Sequence, residues 1–154
     1  MVEIDDIAPL SSEVLWRRHA SDLLRFATAL VGPTDAQDIV VEAVLRCSEA
    51  FTKQAPIDER AYLYRAVTRR ALDLRRASER RWVRDLAAVG PISSSVSDPN
   101  VDVRQAVCQL SVKQRATIYL IYWEDLTERA AADSLGVSVG SVRRHLTRAQ
   151  AHLR

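Results

Sequence analysis

Residues 126–154, LTERAAADSLGVSVGSVRRHLTRAQAHLR, decide how the chain is read. Thr127 is placed to cap a helix, and Glu128 sits in its first turn, where the positive end of the helix dipole favours a carboxylate. Gly136 supplies the left-handed residue that ends such a helix. Ser138 begins another, in which Val142, Leu146, Ala149 and Leu153 recur at helical spacing and form one stripe. That stripe has to face a core, which leaves Gly140, Ser141, Arg143, Arg144, Thr147 and Arg148 on the outward arc. The outward face is small and hydrogen-bonding at its start and cationic further along, which suits base edges and phosphates. A short helix, a glycine turn and a basic second helix make a helix-turn-helix, whose second helix enters the DNA major groove by its N-terminal residues.

The totals frame the rest. A chain of 154 residues with 47% hydrophobic content can bury real cores, as one domain or two small ones. Only four glycines, set against many Ala, Leu and Arg, indicate an all-α protein. The net charge of +2 conceals a strong segregation. Residues 1–58 carry five basic and ten acidic side chains, residues 59–84 nine and three, residues 85–125 three and five, and residues 126–154 five and two. Two basic blocks separated by acidic ones fit two nucleic-acid contacts on a protein that also presents an acidic surface. Cys47 and Cys108 have no Cys or His at ligand spacing, so neither a metal site nor a disulfide framework is expected, and both read as reduced core residues. No cofactor is expected either. The start, MVEIDDIAPL, lacks the pattern of an export signal, and no apolar run is long enough to span a membrane. A cytoplasmic location without membrane insertion follows.

Taken in order, residues 1–10 read as an arm, and a first helix runs from Ser11 or Ser12 to Val31, with Trp16, Ala20, Leu23, Ala27 and Leu30 inward. The lone His19 reads as a boundary residue. Thr34 and Gln37 form a capping box for a second helix. Its apolar face is Ala36, Val40, Ala43, Val44, Cys47 and Phe51, and Asp35, Asp38, Glu42 and Glu49 lie away from that stripe. Acid–base catalysis or metal binding would need inward, desolvated carboxylates with partners such as His, which this helix lacks. Its acidic face is therefore either solvated or a docking surface for a basic partner. Residues 52–58 form a loop. A third helix from Glu59 to Ala77 or beyond turns Leu63, Ala66, Val67, Ala71 and Leu74 inward. Tyr62 and Tyr64 flank that stripe, Arg65, Arg69, Arg75 and Arg76 project outward, and Arg80, Arg81, Trp82 and Arg84 continue the run. Aromatics among arginines fit single-stranded nucleic acid, where stacking contributes about 1–3 kcal/mol per base. Arg70 falls inside the apolar stripe and must snorkel, pair with an acid or mark a rotated helix. Residues 90–100, GPISSSVSDPN, read as a tether. A fourth helix spans 101–110. A second capping box, Ser111 to Gln114, opens a fifth that ends near Trp123, with Ile118, Tyr119, Tyr122 and Trp123 as the core holding the last two helices.

At this point the chain resembles the extracytoplasmic-function group of bacterial sigma factors, the compact sigma-70 proteins that keep only regions 2 and 4. DAQDIVVEAVLR (35–46) resembles region 2.2, and YLYRAVTRRALDLRR (62–76) resembles regions 2.3 and 2.4. LSVKQRATIYLIYWEDLT (110–127) and SLGVSVGSVRRHLTRAQAHLR (134–154) resemble region 4. The resemblance implies two small helical domains, region 2 at 11–84 and region 4 at 101–154, joined by a linker at 85–100. It implies core RNA polymerase as partner, through the β′ clamp helices on Asp35, Asp38 and Glu42 and through the β flap. Promoter DNA is the second implied partner. The −35 element would be read as duplex by Ser138, Ser141, Arg143, Arg144, His145 and Arg148. The −10 element would be opened and captured by Tyr62, Tyr64, Arg65, Arg69, Arg75 and Arg76. An anti-sigma factor is a third implied partner. The pattern departs from the family at Tyr62, commonly Trp, at Arg69 and Arg70, at Val41, usually polar, and at Ala130, usually the Glu of a capping box. Three rivals stand beside this reading. They are a helix-turn-helix regulator working without polymerase, a hydrolase using Asp38 and Glu42, and a sigma-like protein that sequesters a partner without opening promoters.

Overall fold

The computed structural model of the chain is described for residues 10–86, 106–107 and 109–154, with side chains in the third helix given up to Ser78. The expected arm, the tether at 90–100, Arg80, Arg81, Trp82, Arg84 and Cys108 lie outside the described side chains. Among the described residues every regular element is helical. They are α1 (Ser12–Val31), α2 (Pro33–Lys53), α3 (Glu59–Leu86), α4 (Val112–Ile118) running into a π turn at Tyr119–Trp123, α5 (Glu128–Leu135) and α6 (Val139–His152). Of the helix expected at 101–110, Ala106, Val107 and Gln109 are helical and the remainder is outside the description except Leu110, which is buried.

Local chemistry sets most of the boundaries. The Ser11 hydroxyl accepts the Val14 N–H at 3.3 Å, and Asp58 accepts the Ala61 N–H at 2.9 Å, so each helix start has its orphan donor met. Ser111 and Gln114 form the expected reciprocal box. The box expected at Thr34 and Gln37 is absent. The helix instead starts at Pro33, behind Gly32 at φ 87° and with no side-chain cap. Proline is preorganised for the first helical position and has no N–H to satisfy, so it takes that place and puts Thr34 inside the helix.

Helices α1, α2 and α3 pack on one another, and the C-terminal helices close over α1 and α3. Leu15, Leu23, Phe26, Ala27 and Leu30 are the buried face of α1, so Trp16 and Ala20, expected inside, are only half-buried. The apolar cluster does not stop at the third helix: Val112, Ala116, Leu120, Ala131 and Leu135 belong to it. Phe26 stands at the junction, its ring 4.7 Å from that of Tyr64 on α3 and 5.3 Å from that of Tyr119. Of the expected core residues Ile118, Tyr119, Tyr122 and Trp123, the first two are half-buried and Tyr119 packs against the core, whereas Tyr122 and Trp123 are a correction. Val112, Ala116 and Leu120 are buried instead, while Tyr122 and Trp123 are 64% and 71% exposed. The Glu124 N–H bonds to the Tyr119 carbonyl at 3.1 Å, one residue further back than in an α-helix. That wider turn rotates the last bulky residues out of the stripe. Arg70 resolves its oddity by pairing with Glu42, with Asp73 at 3.6 Å as a second partner. His19 lies at the boundary as expected, half-buried, and shares a short hydrogen bond of 2.5 Å with Glu59.

Cys47 is buried as expected, and burial pushes its thiol pKa up to about 11, which keeps it protonated and inert. Phe26 is wholly buried between two helical groups, so its loss leaves a cavity neither can collapse into. Phe26→Ala is expected to lower unfolding stability by about 3–5 kcal/mol, checked by urea denaturation followed by circular dichroism.

Candidate nucleic-acid interface

The helix-turn-helix is built as its sequence indicates. Thr127 Oγ1 accepts the Ala130 N–H at 3.1 Å, which is half of a capping box; the other half has no side chain to supply it, because Ala130 stands at that position. Gly136 ends α5 in the left-handed region at φ 64°, and its N–H is bonded back to Asp133 at 3.3 Å. Ser138 then caps α6, its hydroxyl accepting the Ser141 N–H at 3.1 Å. Val142 and Ala149 are the buried anchors of α6, Leu146 is half-buried and Leu153 lies in the open.

This anchoring turns Arg143, Arg144, Thr147 and Arg148 to solvent on one face. Two of the arginines are held by neighbours. Arg143 Nε donates to Glu128 at 2.7 Å, and Arg144 Nη2 donates to the Ser141 hydroxyl at 3.1 Å. Glu128 thus serves the dipole of α5 and positions an arginine of α6. The Ser138 hydroxyl is occupied in capping, so it shapes the start of α6 more than it offers a free donor. His145 is half-buried, and burial together with Lys113, Arg148 and Arg144 holds its pKa below the ordinary 6.5. It is therefore a neutral imidazole at pH 7, able to hydrogen-bond but adding no charge to the face.

The second basic block is split by the fold. Tyr62 is 40% exposed, packs edge-on against Phe51 at 5.1 Å and lines an open groove of about 790 Å³ with Lys53, Ile57, Asp58 and Arg65. Ile57, on the loop between α2 and α3, is fully exposed at its mouth. Tyr64, expected beside Tyr62 as a nucleic-acid contact, is a correction: it is 1% exposed, and burial pushes its pKa up to about 12. Positions 62 and 64 lie about 200° apart on a helix, so they cannot share a face. The Tyr64 hydroxyl accepts from Arg60 at 3.4 Å, with the guanidinium carbon 5.3 Å from the ring centre. Arg69 and Arg76 are exposed. Arg65 and Arg75 are half-buried, and each donates to a backbone carbonyl of the C-terminal half, Arg65 to Asp133 at 2.6 Å and Arg75 to Leu110 at 3.4 Å.

The acidic face lies along α2. Asp35, Asp38 and Glu42 border a groove of about 270 Å³ between α2 and α3, closed on the far side by Arg70 and Asp73. Glu42 already holds two cations, Arg46 at 2.9 Å and Arg70, whereas Asp38 is exposed. Val41 and Leu45 stand exposed on the same helix, an apolar flank that the acidic pattern alone did not signal. Among the described residues no group of carboxylates, His and Cys is arranged to hold a metal.

Residues 15–81 match the sigma-70 region 2 family and residues 100–153 match sigma-70 region 4. The RNA polymerase sigma-E factor of Streptomyces avermitilis is 31% identical over 94% of this chain and 84% of its own length. The chain belongs to the extracytoplasmic-function sigma factors of the sigma-70 family. A further relative is the ECF RNA polymerase sigma factor SigM of Mycobacterium tuberculosis, 28% identical over 90% of this chain and 73% of its own. Among solved structures, the sigma factor RpoE in complex with the anti-sigma factor NepR from Bartonella quintana shares the fold. It has a TM-score of 0.64 and 23% identity, over 92% of each chain. The sigma factor's place is in transcription initiation. No described helix is long and apolar enough to cross a membrane.

Residues missed from sequence are Arg60 and Glu124, which pair across the fold, whereas the Glu42 to Arg46 pair follows from its spacing on one helix. The depressed His145 pKa has a measurable consequence. As pH falls through 6.5 the unfolded chain takes up this proton before the folded one, so the associated stability is present above pH 6.5 and is lost below it. Urea denaturation between neutral and mildly acidic pH is expected to show a smaller loss in His145→Gln than in the wild type.

Proposed function

We propose that the sigma factor divides its contacts over three surfaces. Its recognition helix α6 reads the −35 element through Arg143, Arg144, His145 and Arg148, with Ser138 and Ser141 setting the helix start. The groove beside Tyr62, with Arg65, Arg69, Arg75 and Arg76, takes the opened −10 strand. Asp35, Asp38 and Glu42 dock on the β′ clamp helices of core RNA polymerase, and the region 4 helices meet the β flap. Residues 11–84 and 101–154 are the two working units, with 85–100 between them.

The observation that carries the proposal is the face of α6. Three arginines, two of them pre-oriented by Glu128 and Ser141, stand exposed on a helix whose opposite side is buried at Val142 and Ala149. Arginine on guanine is the commonest specific pairing in the major groove, and phosphate contacts add a salt-dependent share. The polymerase-free regulator would use the same face but gives no role to the acidic groove on α2. Binding alone performs the task, and the hydrolase reading is disfavoured because Asp38 is solvated and Glu42 is neutralised by two arginines. Its place of action is the cytoplasm, where polymerase is. An anti-sigma factor is the further partner, as for the solved RpoE, with the exposed Tyr122 and Trp123 as available apolar surface.

In run-off transcription with core polymerase over a promoter library, Arg144→Ala is expected to cost about 1–3 kcal/mol of −35 discrimination, while Arg148→Ala at a phosphate lowers the salt slope by about one unit. If −35 preference survives Arg144→Ala, the assignment of α6 is wrong. Asp35→Ala/Asp38→Ala is expected to weaken binding to core polymerase at least about tenfold, roughly 1.4 kcal/mol, with folding intact. That pair is preferable to Glu42→Ala, which would take from Arg70 the nearer of its two carboxylates. Unchanged core binding would remove polymerase docking from α2.

A further inference from the structure

The first turn of α5 and the exposed face of α6 meet in one ion pair that sets an acceptor beside a donor. Arg143 follows Val142, which is wholly buried and so fixes the level at which the arginine leaves α6. Its Nε donates to Glu128 Oε2 at 2.7 Å, with the two side chains 69% and 39% exposed. Thr127 caps α5 through the Ala130 N–H and thereby fixes the backbone from which Glu128 reaches. Among the described residues the two Nη nitrogens of Arg143 and the Oε1 of Glu128 have no hydrogen-bond partner. Gly140 lies three residues before Arg143, on the same face of α6. A methyl group added there would meet nothing nearer than Ser138 Oγ at 3.9 Å, so the space in front of the pair is open.

An arginine held at Nε still offers its two terminal amines as a fork, the geometry that meets guanine O6 and N7 in the major groove. The carboxylate decides what else the arginine can do. It offsets the positive charge, so a phosphate gains little from Arg143 and is repelled by Glu128. It also presents a free acceptor next to the fork, and an acceptor is what the cytosine N4 amino group requires. Resting on the −35 reading of α6 above, we propose that Glu128 is a specificity-determining residue of that site: with Arg143 it forms one unit that reads a G·C pair in duplex DNA. The guanine acceptors face the fork and the cytosine donor faces the carboxylate. An A·T pair fits poorly, because adenine places its N6 amino group where the fork needs an acceptor. Holding phosphates falls to cations such as Arg148, exposed and without a carboxylate partner among the described residues. The first helix of the motif is thus drawn into base reading through a residue that the cationic pattern of α6 does not include.

The full chain, assembled with core polymerase, is offered double-stranded promoter fragments randomised across the −35 element, and the bound fragments are sequenced. Wild type is expected to enrich guanine at one position by at least about fivefold, the lower end of what a bidentate contact gives. Arg143→Lys keeps the charge but loses the fork. It and Glu128→Gln are each expected to cut that preference at least about threefold, at the same position, and the double variant to cut it no further than the stronger single one. The salt dependence supplies a second readout. Glu128→Gln frees a positive charge and is expected to steepen the fall of log K with log salt by up to about one unit, while Arg143→Ala leaves that slope nearly unchanged. A carboxylate that only steadied α5 would weaken all sequences alike and move neither quantity. Both sites are exposed, and circular dichroism checks that each variant is folded.

The paired reading is overturned by a guanine preference that survives Glu128→Gln, or by the two single substitutions acting at different positions. An Arg143→Ala slope reduced by about one unit, as for a lost phosphate contact, overturns it too. Failure of the −35 reading of α6 looks different, because Arg144→Ala would then also leave every −35 preference as in wild type. If Arg144→Ala shifts the preference while Glu128→Gln and Arg143→Lys do not, α6 keeps its role and Glu128 loses its own.

Discussion

The packing of Phe26 against both Tyr64 and Tyr119 is the contact on which the architecture depends. A small three-helix group buries a modest apolar area, and so does a helix-turn-helix with its supporting helix. By closing on one another they bury faces that neither could cover alone. A fully buried aromatic or aliphatic side chain contributes on the order of 1.5–3 kcal/mol relative to exposure, and the cluster gathers such residues from α1, α2, α3, α4 and α5. The edge-to-face ring geometry at the junction also orients the joined parts, because aromatic pairs favour defined angles.

Charge is organised around that apolar centre. Arginines expelled from the core either face solvent, as on α6, or find a nearby carboxylate, as Arg70 does with Glu42 and Arg143 with Glu128. Exposed pairs of this kind add little to stability, about 0–1 kcal/mol each. Their effect is geometric: a long flexible side chain is held in one orientation before DNA arrives, which reduces the ordering cost of binding. The same logic separates α2 into a neutralised end at Glu42 and an open one at Asp38, so carboxylates that look alike in sequence differ in what they can still attract.

The seam between the N- and C-terminal halves links the two themes. The apolar cluster lies beneath it, and Arg60, Arg65 and Glu124 stand at its rim. Arg65 is thereby tied across the seam while Arg143, Arg144 and Arg148 on α6 remain exposed.

Much of this was legible in the sequence. Caps at Ser11, Ser111, Thr127 and Ser138 and the stop at Gly136 are decided within four residues, by which side chain or backbone shape can satisfy a free N–H or carbonyl. The exposed arc of α6 follows from 3.6-residue periodicity, and the all-helical class from the scarcity of glycine and the wealth of Ala, Leu and Arg. Pro33 is also a local signal, since a proline suits the first position of a helix and so displaces Thr34 from the cap. What the sequence could not supply was the covering of each face by distant neighbours. Periodicity says that Tyr62 and Tyr64 point apart, but only the helices packed around α3 decide that Tyr64 is the one inside. The placing of Arg65 under Gly136 and the reach of Arg60 to Glu124 depend on atoms more than sixty positions away along the chain. Helix formation is a matter of local hydrogen bonds and was written in the sequence; the choice of buried face belongs to long-range packing, and the tertiary structure alone made it.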